Sequence, residues 1–211
     1  MWGRTPEILI KKKKDLRIMV PYVIEAGKND QEKVYDIYSR LLKDRIIFIR
    51  GEFDHDLADA VTAQLLFLES ADPDKDIFMY INSPGGVIDS MYSIYDTMNY
   101  IKPDVCTLAY GQACSAGSFI LAAGAKGKRF ALPNCNIMIH ELSGGNQGKF
   151  HDMENSFNKT KNLYEKMAKH YVEFTGQKLA KVKKDMKRDH YISSEEAVKY
   201  GLIDKVQHTR G

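Results

Sequence analysis

The chain has 211 residues, of which 44% are hydrophobic and 28% charged, and its net charge is +3. That length suits one domain, or one domain with an elaboration, burying roughly 70% of its unfolded surface. Such a balance excludes a disordered or fibrous chain, and the mild positive charge gives no argument for a nucleic-acid partner.

The opening, "MWGRTPEILIKKKKDLRIMV", lacks the form of a signal peptide. Its apolar "ILI" is short, and its lysines follow that stretch instead of preceding it. Lys11 to Lys14 read first as a solvated basic arm, with a nucleic-acid or membrane tether as the sharper alternative. No apolar run approaches the roughly 20 residues that span a bilayer. The three cysteines, Cys106, Cys114 and Cys135, form no CxxC pair. An odd, low count fits a reducing compartment, so the expected location is cytoplasmic.

"AGKNDQEK" (26–33) is polar and reads as a loop, and "YDIYSRLLKD" (35–44) has helical spacing. "RIIFIRG" (45–51) reads as a buried strand, and Asp54 is a good N-cap for the helix that follows. "DIFMYIN" (76–82) is a second strand, "SPGG" a turn, and Val87 to Ile101 a helix ended by Pro103. "VCTLAYG" (105–111) is a third strand, followed by a short apolar helix from Ser115 to Ala123, closed by Gly124. "KRFALP" and "NIMIHE" are further strands. This alternation of apolar strands with helices predicts a parallel α/β core. "KFHDMENSFNKTKNLYEKMAKHYVEFTG" then reads as one amphipathic helix of roughly 37 Å. Its stripe of Phe150, Met153, Phe157, Tyr164, Met167 and Tyr171 calls for a packing partner, often another subunit. "SSEEAVKYGLID" (193–204) is a last short helix leading into a strand, "DKVQ".

The chemistry begins at "ACSAG". Ser115 stands at a strand-to-helix turn, where backbone N–H groups point outward and the helix dipole is positive. The N–H of Ala116 then lies where it can hold an oxyanion. The motif is one glycine short of the G-x-S-x-G elbow, and small-residue turns of this kind also serve packing alone. A nucleophilic serine needs a base. His140 ends a strand, at the sheet edge where sites form, while His55, His151, His170, His190 and His208 lie in polar, exposed-looking surroundings. The base needs an orienting carboxylate, and Asp185, Asp189 and Asp204 follow it. Asp204 reads as structural and Asp185 as an exposed helix charge. Asp189 lies in a loop, where catalytic residues are typical. The order Ser–His–Asp rejects the α/β-hydrolase fold, which runs Ser–acid–His. "NSPGG" ends a strand, and the N–H of Gly86 is a second candidate oxyanion donor or part of an ordinary turn.

Taken together these residues resemble the ClpP family, the serine peptidase subunits of Clp proteases. The likeness runs from about Val20 to Val206 and rests on "YDIYSRLLKDRIIF", "AQLLFLES", "YINSPGGVI", "SIYDTMNYIKPDV", "GAKGKRFALPN", "MIH" and "SSEEAVKYGLID". The resemblance implies an α/β fold of repeated ββα units, ClpP/crotonase-like, with the long helix as a protruding handle. It divides the chain into a basic extension (1–19), an axial-loop region (20–34) and one peptidase domain (35–211). It implies nucleophile Ser115, base His140 and acid Asp189, with oxyanion donors on Gly86 and Ala116. Two stacked heptameric rings of this chain would enclose a chamber, and a hexameric AAA+ unfoldase would feed unfolded proteins into it. Tyr80, Tyr100 and Phe130 match the docking pocket for that unfoldase, and Arg188 matches a ring–ring contact. No cofactor is implied, since ATP is used by the unfoldase, and neither nucleic acid nor membrane is a partner.

Several positions depart from the family pattern. Cys114 and Ala116 replace the usual Ala and Met beside the serine, and Ala116 shrinks the wall near the cleavage site. Glu141, in "HELSGG", places a negative charge beside His140 where the family has "HQPLGG". Two other functions compete with this one. A crotonase-type acyl-CoA hydratase or isomerase needs a carboxylate base in place of Ser with His. A non-catalytic ring subunit has no need of an intact triad.

Overall fold

A computed structural model describes residues 20–26, 32–145 and 147–210. The expected basic extension (1–19) and the tip of the expected loop (27–31) lie outside the described residues. The chain forms two compact units, one up to Arg40 and one from Leu41 onward.

The described part of the first unit is an antiparallel hairpin of β1 (Tyr22–Ala26) and β2 (Glu32–Asp36), in register Tyr22↔Asp36 to Ala26↔Glu32. Tyr35 and Asp36, expected in a helix, belong to this hairpin. Helix α1 (Ile37–Lys43) begins only after Asp36, whose carboxylate accepts from the Tyr38 and Ser39 N–H groups and so caps it.

The second unit alternates strands and helices. They are β3 (Ile46–Phe53), α2 (His55–Ala71), β4 (Ile77–Gly86), α3 (Ile88–Tyr100), β5 (Val105–Cys114), α4 (Ala116–Ala122), β6 (Arg129–Ala131) and β7 (Asn136–Ile139). Then come α5 (Phe150–Thr175), α6 (Leu179–Met186), β8 (His190–Ile192), α7 (Ser194–Tyr200) and β9 (Lys205–Val206). Asp54 caps α2 by accepting from Leu57 N–H at 2.8 Å. Ser193 and Glu196 form a reciprocal capping box on α7. These are the start signals that the sequence carries.

The sheet order is β3-β4-β5-β6-β9, all parallel, with β7 parallel to β5 and β8 antiparallel to β7. Strand β5 forks. Its Thr107–Ala109 segment pairs with β6, and its Gln112–Cys114 segment pairs with β7. The fork sits at Gly111, with φ +80°, where an added Cβ would lie 3.0 Å from Asn82 Oδ1. "SPGG", expected as a turn, instead continues β4, with Ser83 opposite Ala113 and Gly85 and Gly86 opposite Glu52 and Phe53.

Helices cover the sheet with the apolar faces their spacing predicts. Val61, Leu65 and Leu68 of α2 and Met91, Ile94 and Met98 of α3 are buried with Ile47, Ile49, Ile77, Met79 and Ile81 of the strands. Helix α4 is buried at all seven positions. The 26 residues of α5 extend about 39 Å, and their apolar stripe divides. Met167 and Tyr171 are buried in the core, while Phe150 is 71% and Phe157 62% exposed.

Arg129 ties β6 to the last strand. It makes paired bonds to the Asp204 carboxylate, Nη2–Oδ1 at 2.6 Å and Nε–Oδ2 at 3.0 Å, and donates to the Phe174 and Gly201 carbonyls. Partial burial works to raise the Asp204 pKa, but the Arg129 side-chain and backbone bonds outweigh it, and the carboxyl titrates below its ordinary value. Stability from a lowered carboxyl is present above the unfolded value and lost as pH falls through the folded one. Asp204→Asn is expected to cost about 3 kcal/mol at pH 7, the low end for a broken buried pair, because Asp204 keeps 24% of its side chain exposed. Urea unfolding at pH 7 and below pH 4 checks this, with the gap between variant and wild type closing in acid.

Candidate active site

Strand β7 brings the predicted residues together through its two edges. On one edge Cys114 pairs with Met138, and Ser115 N–H donates to the Met138 carbonyl at 2.8 Å. On the other edge Ile139 pairs with His190 in an antiparallel ladder, so the next residue on each side, His140 and Asp189, fall opposite one another. His140 Nε2 lies 2.8 Å from Ser115 Oγ, and His140 Nδ1 lies 3.1 Å from Asp189 Oδ1. A carboxylate can only accept, so Asp189 holds the proton on Nδ1 and leaves Nε2 to accept from the Ser115 hydroxyl.

Ser115 occupies the turn between β5 and α4 with φ 55° and ψ −119°, a region sparsely populated by residues that carry a Cβ. The turn aims the side chain out of the buried helix toward His140. The N–H of Ala116 is the first of α4 and has no partner within the helix. Gly85 approaches from β4, held by its N–H bond to Ser83 Oγ at 3.0 Å. Its φ is +104°, and a Cβ there would lie 2.6 Å from Ser115 Cβ. Gly86, with φ +152°, packs as closely on the Phe53 backbone. The glycines thus bring the end of β4 against the serine at a distance no side chain permits.

The competing candidates are otherwise engaged. Asp185, expected as an exposed charge, has only 16% of its side chain exposed and accepts from Lys181 Nζ at 2.6 Å and Tyr200 Oη at 3.0 Å. Burial acts to raise its pKa, but those two bonds prevail and hold it low. Helix α6 turns this face toward Tyr200, which the spacing of charges alone does not disclose. His170, also expected to be exposed, has 16% of its side chain exposed and stacks on Phe174 beside Tyr95 and Phe119. Cys114 precedes the serine, but burial, and secondarily the Asp189 charge, raise its pKa, so it remains a thiol at neutral pH. Among the described residues no group of three His, Cys, Asp or Glu side chains is arranged to hold a metal.

The model of the Clp protease family matches residues 29–210. The chain belongs to that family. Membership in the Clp protease family makes it a peptidase of the Clp type on a mixed α/β fold with a parallel sheet.

The other residues that the Clp protease resemblance singles out lie apart from the triad. Tyr80 and Phe130 line a cleft of about 620 Å³ along the cross-strand row Tyr80–Leu108–Phe130, with Phe78 and Leu132. Tyr80 packs on Phe48 and Tyr110, with ring centroids 5.4 and 6.3 Å away. Tyr100 does not line that cleft. It ends α3 and is 81% exposed. Arg188 and Glu141 are exposed next to Asp189 and His140. Among the described residues no helix is long and apolar enough to cross a membrane. Sequence reasoning missed β8, whose three residues His190–Ile192 are too few to carry a strand pattern, although they set the place of Asp189.

Gly85→Ala is expected to displace the Ser115 side chain and lower peptide turnover roughly 10²-fold, as misplacement near 1 Å does. Steady-state hydrolysis of a small fluorogenic peptide, with circular dichroism to verify the fold, checks this.

Proposed function

We propose that this chain is the serine endopeptidase subunit of an ATP-dependent Clp protease. The observation that carries the reading is His140, with one ring nitrogen on Ser115 and the other on Asp189. In the reaction, Ser115 Oγ attacks the scissile carbonyl carbon as its proton passes to His140 Nε2. Asp189 stabilises the imidazolium, and the N–H groups of Gly86 and Ala116 hold the oxyanion. Collapse breaks the C–N bond, and the His140 proton leaves with the amine. Water then attacks the Ser115 ester with His140 as base, freeing the acid product and the serine hydroxyl. The acyl-CoA reading calls for a carboxylate in contact with the reacting atoms, and the group that meets Ser115 is an imidazole.

In this reading the chain uses no cofactor, and its partner spends the ATP. The exposed Phe150 and Phe157 on α5 support assembly through the handle, in two stacked heptameric rings. The apolar cleft around Tyr80 and Phe130 supports docking of a hexameric AAA+ unfoldase, which delivers unfolded proteins. Residues 1–19 form a basic extension, 20–34 the axial-loop region and 35–211 the peptidase domain. The assembly works in the cytoplasm, with neither nucleic acid nor membrane as partner.

Ser115→Ala is expected to abolish both peptide hydrolysis and labelling by a fluorophosphonate. Asp189→Asn should lower kcat by about 10³- to 10⁴-fold by releasing the His140 tautomer. Undiminished turnover in Ser115→Ala sinks the assignment. Alkylating agents at neutral pH should leave activity intact, because the Cys114 thiol is buried and protonated.

A further inference from the structure

Behind the nucleophile, buried hydroxyl and carbonyl groups meet at a point the reaction does not touch. Ser118 of α4 is 0% and Tyr171 of α5 is 1% exposed. Ser118 Oγ lies 2.8 Å from the Ser115 carbonyl oxygen, 2.7 Å from the Met138 carbonyl oxygen and 3.0 Å from Tyr171 Oη. A serine hydroxyl carries one proton and two lone pairs, and a carbonyl oxygen only accepts. Ser118 therefore shares its proton between the two carbonyls, and Tyr171 donates to Ser118. Burial pushes the Tyr171 phenol well above its ordinary pKa, so it remains a neutral donor.

The two carbonyls are those that define the site. One belongs to Ser115 itself, in its φ 55° conformation. The other already accepts the Ser115 N–H and lies two residues before His140 on β7. A single hydroxyl thus joins the peptide of the nucleophile to the strand of the base. Tyr171 locks that hydroxyl from the buried half of α5, its ring held edge-on by Phe119 at 5.6 Å and Phe174 at 6.3 Å.

We propose that Ser118 and Tyr171 are positioning residues for the Ser115–His140 pair, through a buried relay from the long helix to the two backbone carbonyls that set its geometry. The inference rests on the serine-peptidase reading of the site. Neither residue needs to touch substrate, so the relay acts on kcat and leaves KM unchanged.

The test uses the purified, assembled protein with Tyr171→Phe, Ser118→Ala and the double variant, each of which removes a hydroxyl and keeps the packing. Tyr171→Phe is expected to lower kcat on a small fluorogenic peptide roughly 5- to 10-fold with KM unchanged, the worth of one buried hydrogen bond. Fluorophosphonate labelling of Ser115 slows by the same factor. Ser118→Ala loses at least as much and also lowers the Tm, because it leaves the Tyr171 hydroxyl buried without a partner. The double variant regains part of that Tm but none of the kcat, and its kcat loss equals that of the worse single variant, as groups in one relay require. Wild-type kcat and labelling rate in the single variants, whatever their Tm, overturn the proposal, as does a change in KM alone. If Ser118→Ala fails to assemble, Tyr171→Phe decides, since it keeps the Ser118 bonds to both carbonyls. A wild-type protein that neither cleaves peptide nor labels at Ser115 overturns the serine-peptidase reading and the relay with it. An active wild type with unaltered variants overturns the relay alone.

Discussion

The double pairing of β7 is the constraint on which the site depends. One edge of this four-residue strand fixes Ser115 through the Met138 carbonyl. The other edge, running antiparallel to β8, sets Asp189 opposite His140. Backbone ladders hold register far more tightly than side-chain contacts, because a slip of one residue turns every side chain to the other face. Strand register therefore brings Ser115, His140 and Asp189 within reach, and their side-chain bonds complete the arrangement. That matters for Asp189, whose carboxylate is 58% exposed and gains little from burial.

The fork in β5 makes this arrangement possible. A straight β5 would carry its β6 neighbour to the end, and no edge would remain for β7. The left-handed Gly111 breaks the register beside Asn82, whose Oδ1 accepts from Gln112 N–H at 3.3 Å. Strand β4 answers the break with its own shift between Ile81 and Ser83. Gly85 and Gly86 then extend β4 far enough to touch Ser115 and Phe53. Glycine serves here as a spacer of zero thickness, and the strained Ser115 is held in place by everything packed around it.

Ser115 and the apolar cleft adjoin different stretches of β5. The triad lies past the carboxyl ends of β5 and β7, where open α/β sheets place their sites. The cleft follows the cross-strand row Tyr80–Leu108–Phe130 of β4, β5 and β6. Helix α5 divides its labour likewise, with Met167 and Tyr171 in the core and Phe150 and Phe157 outside.

Much of this was legible in the residues. Apolar runs and the Asp54 cap announce the α/β alternation, because local hydrogen bonds and burial periodicity act within a few residues. Residue type, place in the predicted elements and family likeness single out Ser115, His140 and Asp189. Other features were not legible. Short-range patterns read Asp185 and His170 as exposed, though packing of α6 and α5 half-buries both, and "SPGG" as a turn, though pairing with Phe53 and Ala113 keeps it extended. The sequence alone determined the main helices and core strands and which chemical groups are on hand. Only the tertiary structure decided which groups meet, since the 2.8 Å from His140 to Ser115 and the buried Tyr171–Ser118 link join residues 25 and 53 positions apart. Contacts of that range are set by sheet register and helix packing, which no local pattern encodes.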